Sequence, residues 1–338
     1  MNQAKTRIAS FDLLKCLAIF LVIWGHSIGS LTKVDGNSDC VYRIIYSFHM
    51  PLFMMMSGYF AASSMNSAPW PFIKKKFTQL IFPCIFWGGL CWFFLECKHS
   101  FHYGNQEFSI VGLISDFYWL SDFWFLKSCF ICYCLAYIGS HLKIKRTYWI
   151  LLTIAISQFI PPFFVSFMYP CFVIGMEMKY NNDLYTKILS YRYYIMCVFL
   201  LMLLFWNNDM WLNSHGIPSG ILNENFSIWT KIAFARLFRL IIGIVGAIGI
   251  ISTFTSFFNH KNNKIFMTFQ EWGQYTLEVY ILQAIILERT ISKYFSFNEI
   301  EQLPYDFLIA PILSFVLLTL CIFIAKKIKK WSLFRMSS

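Results

Sequence analysis

Charge is scarce in this chain. Asp, Glu, Lys and Arg make up 13% of its 338 residues, against 58% in the apolar set. A soluble domain carries about 25% charged residues. The shortfall excludes a water-covered globule, and with it an ordinary cytosolic enzyme, a disordered chain and a disulfide-stapled secreted domain. A Gly-rich nucleotide loop, a metal motif and a G-x-S-x-G elbow are also missing. No internal repeat and no matching pair of broken helices point to an inverted-repeat transporter. The first apolar run is too long for a signal-peptide core and lacks a small-residue cleavage site, so it reads as a retained helix. The net charge of +11 does not mark a nucleic-acid binder, because the basic residues are dispersed among apolar segments.

What remains is a chain whose main solvent is lipid. Ten apolar stretches can be read, at about 11–31, 41–62, 77–96, 123–140, 148–163, 164–178, 193–206, 232–258, 272–291 and 306–325. At about 20 apolar residues per span, they predict an all-α polytopic membrane bundle of about ten transmembrane helices, in one domain over 1–338. The 38 phenylalanines suit a lipid-facing surface.

With the N-terminus inside, the cytoplasmic connections hold Lys5, Arg7, Lys74, Lys75, Lys76, Lys143, Lys145, Arg146, Lys179, Lys187, Arg192, Lys261, Lys264, Lys326, Lys327, Lys329, Lys330 and Arg335, which is 18. The other side holds five: Lys33, Arg43, Lys98, Lys231 and Lys293. Cytoplasmic loops are enriched in Lys and Arg, so both termini are expected inside. Pro161–Pro162 is either a tight hairpin or a kink in one span, and the charge alternation favours two spans. Cys97–Ser121 and Asn207–Lys231 are the two long outer loops, aromatic and acidic, suited to lie along the membrane surface.

The 11 cysteines lie mostly within spans. Cys129, Cys132 and Cys134 share one helix and read as small hydrophobes before they read as metal ligands. A Cys40–Cys97 bridge and a metal pair at His99 and His102 stand as weaker alternatives to free thiols and a solvated polar loop.

A charge near the bilayer centre costs about 2.5–3.5 kcal/mol on insertion scales. The spans nevertheless contain or border on Asp12, Lys15, His26, His49, Lys127, Arg236, Arg239, Glu278, Glu288 and Arg289. That set is better explained by a polar internal cavity than by chance. Some members have bland readings: Glu288 and Arg289 can snorkel at an outer end, and Asp12 can pair with Lys15. Lys15 and His26 are 11 residues apart, which on an α-helix is three turns plus about 20°, or roughly 16 Å. Both therefore point one way, Lys15 near the cytoplasm and His26 toward the outer half. His49 lies at similar depth on the antiparallel second span, where the two imidazoles can meet. Pro51 removes a backbone donor beside it, and Gly58 permits close helix approach. A neutral imidazole is a suitable general base for an alcohol at pH 7. The competing reading is two buried histidines bonded to backbone or to each other. Arg236 and Arg239, at i and i+3, share a face. They suit an acidic sugar or a lipid pyrophosphate, or else pair with Glu278 or with loop acids.

FDLLKCLAIFLVIWGHS, with its Lys15…His26 spacing, resembles the signature of the membrane acyltransferase type 3 family, and so does FHMPLFMMMSGYF. The DLLK version is most similar to the branch of sugar O-acetylases that includes fucose 4-O-acetylase-like proteins. Weaker similarities follow at KKKFTQLIFPCIFW, at Trp124–Leu126, at FVIGMEM and at GQYTLEVYILQAII. Two positions depart from the pattern. Gln79 stands where the family commonly has Arg before the proline, here Pro83. Gln283 ends a segment that often reads YLLH, and an amide cannot act as a base.

The resemblance implies a ten-helix enzyme of the bacterial cytoplasmic membrane with no bound cofactor. It would carry an acyl group, most often acetyl, from cytoplasmic acetyl-CoA or another acyl-CoA to a sugar hydroxyl. The acceptor would be a lipid-linked or polymeric carbohydrate of the envelope. Lys74, Lys75 and Lys76 would hold donor phosphates as compact charges, although a positive-inside anchor looks the same. Lys15 would lie along the donor path. His26 or His49 would deprotonate the acceptor or be acylated first. Ser57, Tyr59 and Lys127 are candidate oxyanion donors, Lys15 being too far along the helix unless the thioester sits low. The alternative of a different class is an exporter or flippase for a polar lipid, with the intramembrane charges lining its pathway. A third is transfer of succinyl, or transfer to an amine.

Overall fold

The computed structural model describes residues 9–32, 39–90, 123–160, 162–215, 226–258, 263–298 and 300–329. Among the described residues every regular element is helical. The helices are α1 (Ala9–Leu31), α2 (Cys40–Ala61), α3 (Pro69–Lys76), α4 (Trp124–Ser140), α5 (Arg146–Ser157), α6 (Val165–Tyr180), α7 (Asn182–Ser190), α8 (Arg192–Phe205), α9 (Asn208–His215), α10 (Phe226–Phe258), α11 (Lys264–Trp272), α12 (Thr276–Gln283) and α13 (Ala310–Lys329). Within the described residues, the apolar stretches are mostly helical. Among the described residues three helices, Ala9–Leu31, Ser227–Phe258 and Gln302–Ile328, are long and apolar enough to cross a bilayer. The pair α7 and α8, bent by 69°, is a fourth candidate.

Burial identifies the middle of the bundle. The apolar window of α1 is 67% buried, against 39% for α10 and 33% for the last helix. So α1 is enclosed by protein, while the other two present much of their surface to lipid. Its neighbours are α2, α10, α11, α12 and α13. Hydrogen bonds fix the His26 end of α1. The Tyr305 hydroxyl donates to the Ser27 carbonyl at 3.0 Å, and Trp24 Nε1 donates to the Asp306 carbonyl at 3.0 Å. Nearby, the Gln302 amide donates to both Asp39 at 2.8 Å and Asp306 at 2.9 Å, and Asp39 caps α2 by accepting from the Tyr42 N–H at 2.6 Å.

The second packing anchor is α2 against α6. A Cβ added at Gly58 would strike the Phe172 carbonyl, and one added at Gly175 would strike the Met55 carbonyl. The two backbones are therefore in direct contact through a reciprocal pair of glycines, as close helix approach in a membrane bundle requires. The helix does not open at Pro51: α2 runs unbroken from Cys40 to Ala61. There Gly243 of α10 lets that helix sit close against the Pro51 ring and the Ser47 carbonyl, the acceptor that a proline N–H cannot serve.

The segments before and after Pro162 are separate helices, α5 and α6. Phe163 and Phe164 take left-handed φ values of 58° and 54°. Tyr169 of α6 donates to Thr153 of α5 at 2.8 Å, and Gln158 Nε2 donates to the Ser166 carbonyl at 3.0 Å, closing the hairpin. The short helices α7, α9 and α11 are additional to the ten apolar stretches. Each carries polar residues at a connection where hydropathy alone gives no signal.

Candidate active site

On α1 the predicted pair takes its place along one continuous helix. Lys15 and His26 are both half-buried. Lys15 Nζ bonds Asp12 Oδ1 at 2.9 Å and lies 4.7 Å from the centre of the Phe60 ring. It borders a cavity of about 260 Å³ that rises between the helices. The walls are Ile19 and Val22 of α1, Met50, Phe53 and Ser57 of α2, Gln79 and Leu80 after α3, Phe125, Leu126 and Tyr133 of α4, and Thr276 and Tyr280 of α12. All but one of the segments that carry the resemblance contribute to this wall. FVIGMEM instead supplies the Gly175 contact that holds α2 in place. The cavity extends to Val22, which is four residues or about 6 Å below His26, and to Met50, the neighbour of His49. His26 itself is not among the wall residues.

His26 Nδ1 lies 3.2 Å from Glu288 Oε1, with side-chain exposures of 27% and 25%. An ionised carboxylate only accepts, so Nδ1 is the donor in this contact, and in the neutral ring Nε2 keeps its lone pair. Gln283, buried, donates its amide to the same Glu288 oxygen at 3.2 Å and to the Tyr280 carbonyl at 3.3 Å. The three side chains form a line, Gln283 to Glu288 to His26. Glu288 thus has a partner inside the bundle, where its sequence position suggested a snorkelling end. The cause is local: Ala284–Ile291 is π-helical. Residues five apart on a regular α-helix diverge by about 140°, whereas i→i+5 pairing in a π turn brings them together. Such turns are frequent at functional sites.

The two histidines do not bond each other. Tyr46 stands between them, its ring edge-on to both, 6.1 Å from His26 and 4.6 Å from His49. His49 is 1% exposed, and its Nδ1 meets the Ile45 carbonyl at 2.7 Å. Nδ1 must therefore be the donor, leaving Nε2 unprotonated in the neutral ring. Tyr46 also stacks on Tyr42 at 4.0 Å.

The lysine triplet divides. Lys74 and Lys75 are exposed, whereas Lys76 is half-buried with Nζ 3.7 Å from the centre of the Tyr133 ring in the cavity wall. The arginines divide too. Arg236 is exposed and Arg239 turns inward, where its Nη1 donates to His215 Nε2 at 2.8 Å rather than to a carboxylate. His215 Nδ1 meets the Trp211 carbonyl at 2.9 Å. Burial, and then the Arg239 guanidinium, push the His215 imidazole down from 6.5 to about 4. Of the candidate oxyanion donors, Ser57 lines the cavity and Lys127 lies 5.0 Å from the Phe163 ring. Cys129, Cys132, Cys134 and Cys40 are free thiols. Cys97, His99 and His102 lie outside the described residues.

Comparison with known proteins identifies relatives of the chain. Residues 8–326 match the family described as acyltransferase domain. The nodulation protein NolL of Mesorhizobium japonicum is 27% identical over 183 residues, 49% of this chain and 46% of that protein. The nodulation protein NolL of Sinorhizobium fredii is 26% identical over 182 residues, 51% of this chain and 49% of that protein. The match therefore spans about half the length of these curated relatives. No solved structure matches.

Proposed function

The chain belongs to the acyltransferase-domain family, and on that premise we propose that it transfers an acyl group, most often acetyl, from cytoplasmic acyl-CoA to a hydroxyl of an envelope or extracellular carbohydrate. The host membrane is a bacterial cytoplasmic membrane, crossed about ten times with both termini inside. The observation that carries the reading is the Glu288–His26 contact at the far end of the helix whose near end brings Lys15 to an apolar cavity. A carboxylate that fixes one imidazole nitrogen as a donor leaves the other as a base, the arrangement general-base catalysis of acyl transfer requires.

The donor enters from the Lys15 end. Its phosphates meet Lys74, Lys75 and Lys76, of which Lys76 stands at the cavity wall, and its thin pantetheine arm lies in the cavity among apolar side chains. The acceptor hydroxyl arrives from the outer side. His26 Nε2 takes the hydroxyl proton as the oxygen attacks the thioester carbonyl. The tetrahedral intermediate collapses with loss of the C–S bond, and the imidazolium returns the proton to the departing thiolate. Glu288 stabilises the transient imidazolium, and Gln283 keeps Glu288 in place. This gives Gln283 a supporting role that needs no titratable group. His49, through Tyr46, acts as a positioning residue.

The test is transfer of label from acetyl-CoA to envelope glycan. The wild-type protein transfers label, and His26→Ala, inserted at equal level in the membrane, does not. Undiminished transfer by that variant refutes the catalytic assignment. Mass analysis of the glycan, with base treatment, distinguishes acetyl from succinyl and ester from amide.

A further inference from the structure

We propose that Arg239, with Arg236 one turn before it, is the seat for an oxyanion carried by the acceptor, so that this transferase takes anionic carbohydrates in preference to neutral ones. The inference deepens the acyl-transfer reading and rests on it for the direction from which the acceptor comes. A guanidinium has five N–H donors and no acceptor. In Arg239 one donor goes to His215 Nε2. That imidazole is held by the Trp211 carbonyl as a neutral acceptor and brings no negative charge. The Arg239 Nε is buried and has no hydrogen-bond partner. Among the described residues no carboxylate forms an ion pair with Arg239. Its surroundings are aromatic faces instead: Phe167 and Trp211 each at 5.1 Å and Phe164 at 5.8 Å from the guanidinium carbon. Ring faces attract a cation, but far less than is needed to offset removal of a whole charge from water. A half-buried guanidinium in a membrane bundle, with its Nε buried and without a hydrogen-bond partner, is accounted for when its counter-charge comes with a ligand.

The position fits an acceptor subsite. Trp211, which stacks on Arg239, lies 6.3 Å from Tyr46, and Tyr46 is the ring in contact with His26. Arg239 and His26 thus border one aromatic cluster, linked through Trp211 at 5.1 Å from the guanidinium carbon, Tyr46 at 6.3 Å from Trp211, and His26 at 6.1 Å from Tyr46. Arg236 is exposed and shares the helix face, so it stands where an incoming anion first meets the protein. The planar fork of Arg suits either a phosphoryl group or a carboxylate. The same seat would serve a sugar on a lipid diphosphate or an acidic sugar.

The experiment is thermal unfolding of the full chain in detergent micelles, titrated with inorganic pyrophosphate, with glucuronate and with glucose at matched ionic strength. A ligand that binds the native state raises Tm in proportion to the logarithm of its concentration above Kd. At least one anion is expected to raise Tm and glucose is not. Arg239→Gln abolishes the rise, and Arg239→Lys keeps part of it. A response to pyrophosphate points to a lipid diphosphate, and a response to glucuronate to an acidic sugar. If Arg239→Gln does not fold, Arg236→Gln, changed at an exposed position, is expected to weaken the anion about tenfold. No shift with either anion, or an undiminished shift in these variants, overturns the proposal. Because the readout is binding, its failure leaves the label-transfer test of His26 untouched.

Discussion

Replacing Glu288 by Gln removes the charge that faces His26 but keeps the length and shape of the side chain. The amide can still accept from Nδ1–H, so the geometry survives while the stabilisation of an imidazolium is lost. A hydrogen bond to a charged group contributes about 1.5–3 kcal/mol. The two side chains are about a quarter exposed and 3.2 Å apart, which places this pair toward the weaker end. A loss of about 1.5–2 kcal/mol at 1.36 kcal/mol per decade is a fall of about 10–30-fold in kcat. Because the role proposed for Glu288 is confined to the transition state, KM for donor and acceptor should hold. The assay is the rate of label transfer from acetyl-CoA, at saturating donor, in membranes matched for protein content. A kcat within twofold of wild type, or a fall confined to KM, would show that the carboxylate does not assist the imidazole.

Other consequences follow from packing and charge. Gly58→Ala places a methyl group against the Phe172 carbonyl, and overpacking of this kind costs about 1–3 kcal/mol or more. It should lower Tm or the amount of folded protein in the membrane, whereas alanine at Gly89, which nothing crowds, should not. Lys76→Gln should raise KM for acyl-CoA roughly tenfold, the worth of one charge-assisted contact. Lys74→Gln and Lys75→Gln should each do less, and equal effects would argue for a simple surface anchor. The folded protein holds His215 neutral down to about pH 4, whereas the unfolded chain takes up that proton near 6.5. Its contribution to stability is therefore complete above 6.5 and lost as pH falls toward 4. The acid-induced drop in Tm should be smaller in His215→Asn than in wild type, and parallel pH curves would contradict this.

The main helices were legible as apolar runs, whereas the short α7, α9 and α11 gave no hydropathy signal, and helical period alone puts Lys15 and His26 toward one side of α1. The lysine pairs with Asp12 one turn before it, as local spacing suggests. The partner of His26 was not legible. Glu288 belongs to a π turn, and the α-helical period used to read the sequence turns it away from Gln283. His26 and His49 do not bond each other, and His49 meets a backbone carbonyl instead. An aromatic residue in the intervening turn, Tyr46, fills the space two imidazoles would need. The division between Arg236 and Arg239 depends on where α9 packs, and an eight-residue helix with three apolar side chains gives no periodic signal. Gln283 departs from the family pattern as an amide that cannot act as a base. Beside Glu288 it is a donor in the right place.

The central claim is that the cavity bounded by Lys15 receives the acyl-CoA arm and delivers the thioester to His26. The most direct measurement is an experimental structure with a non-hydrolysable acetyl-CoA analogue bound. The account predicts the pantetheine arm between Ile19 and Met50, its phosphates beside Lys76, and the acyl carbonyl within reach of the His26 ring. An analogue seated elsewhere, or a His26 imidazole that faces lipid while Glu288 points away, would contradict it.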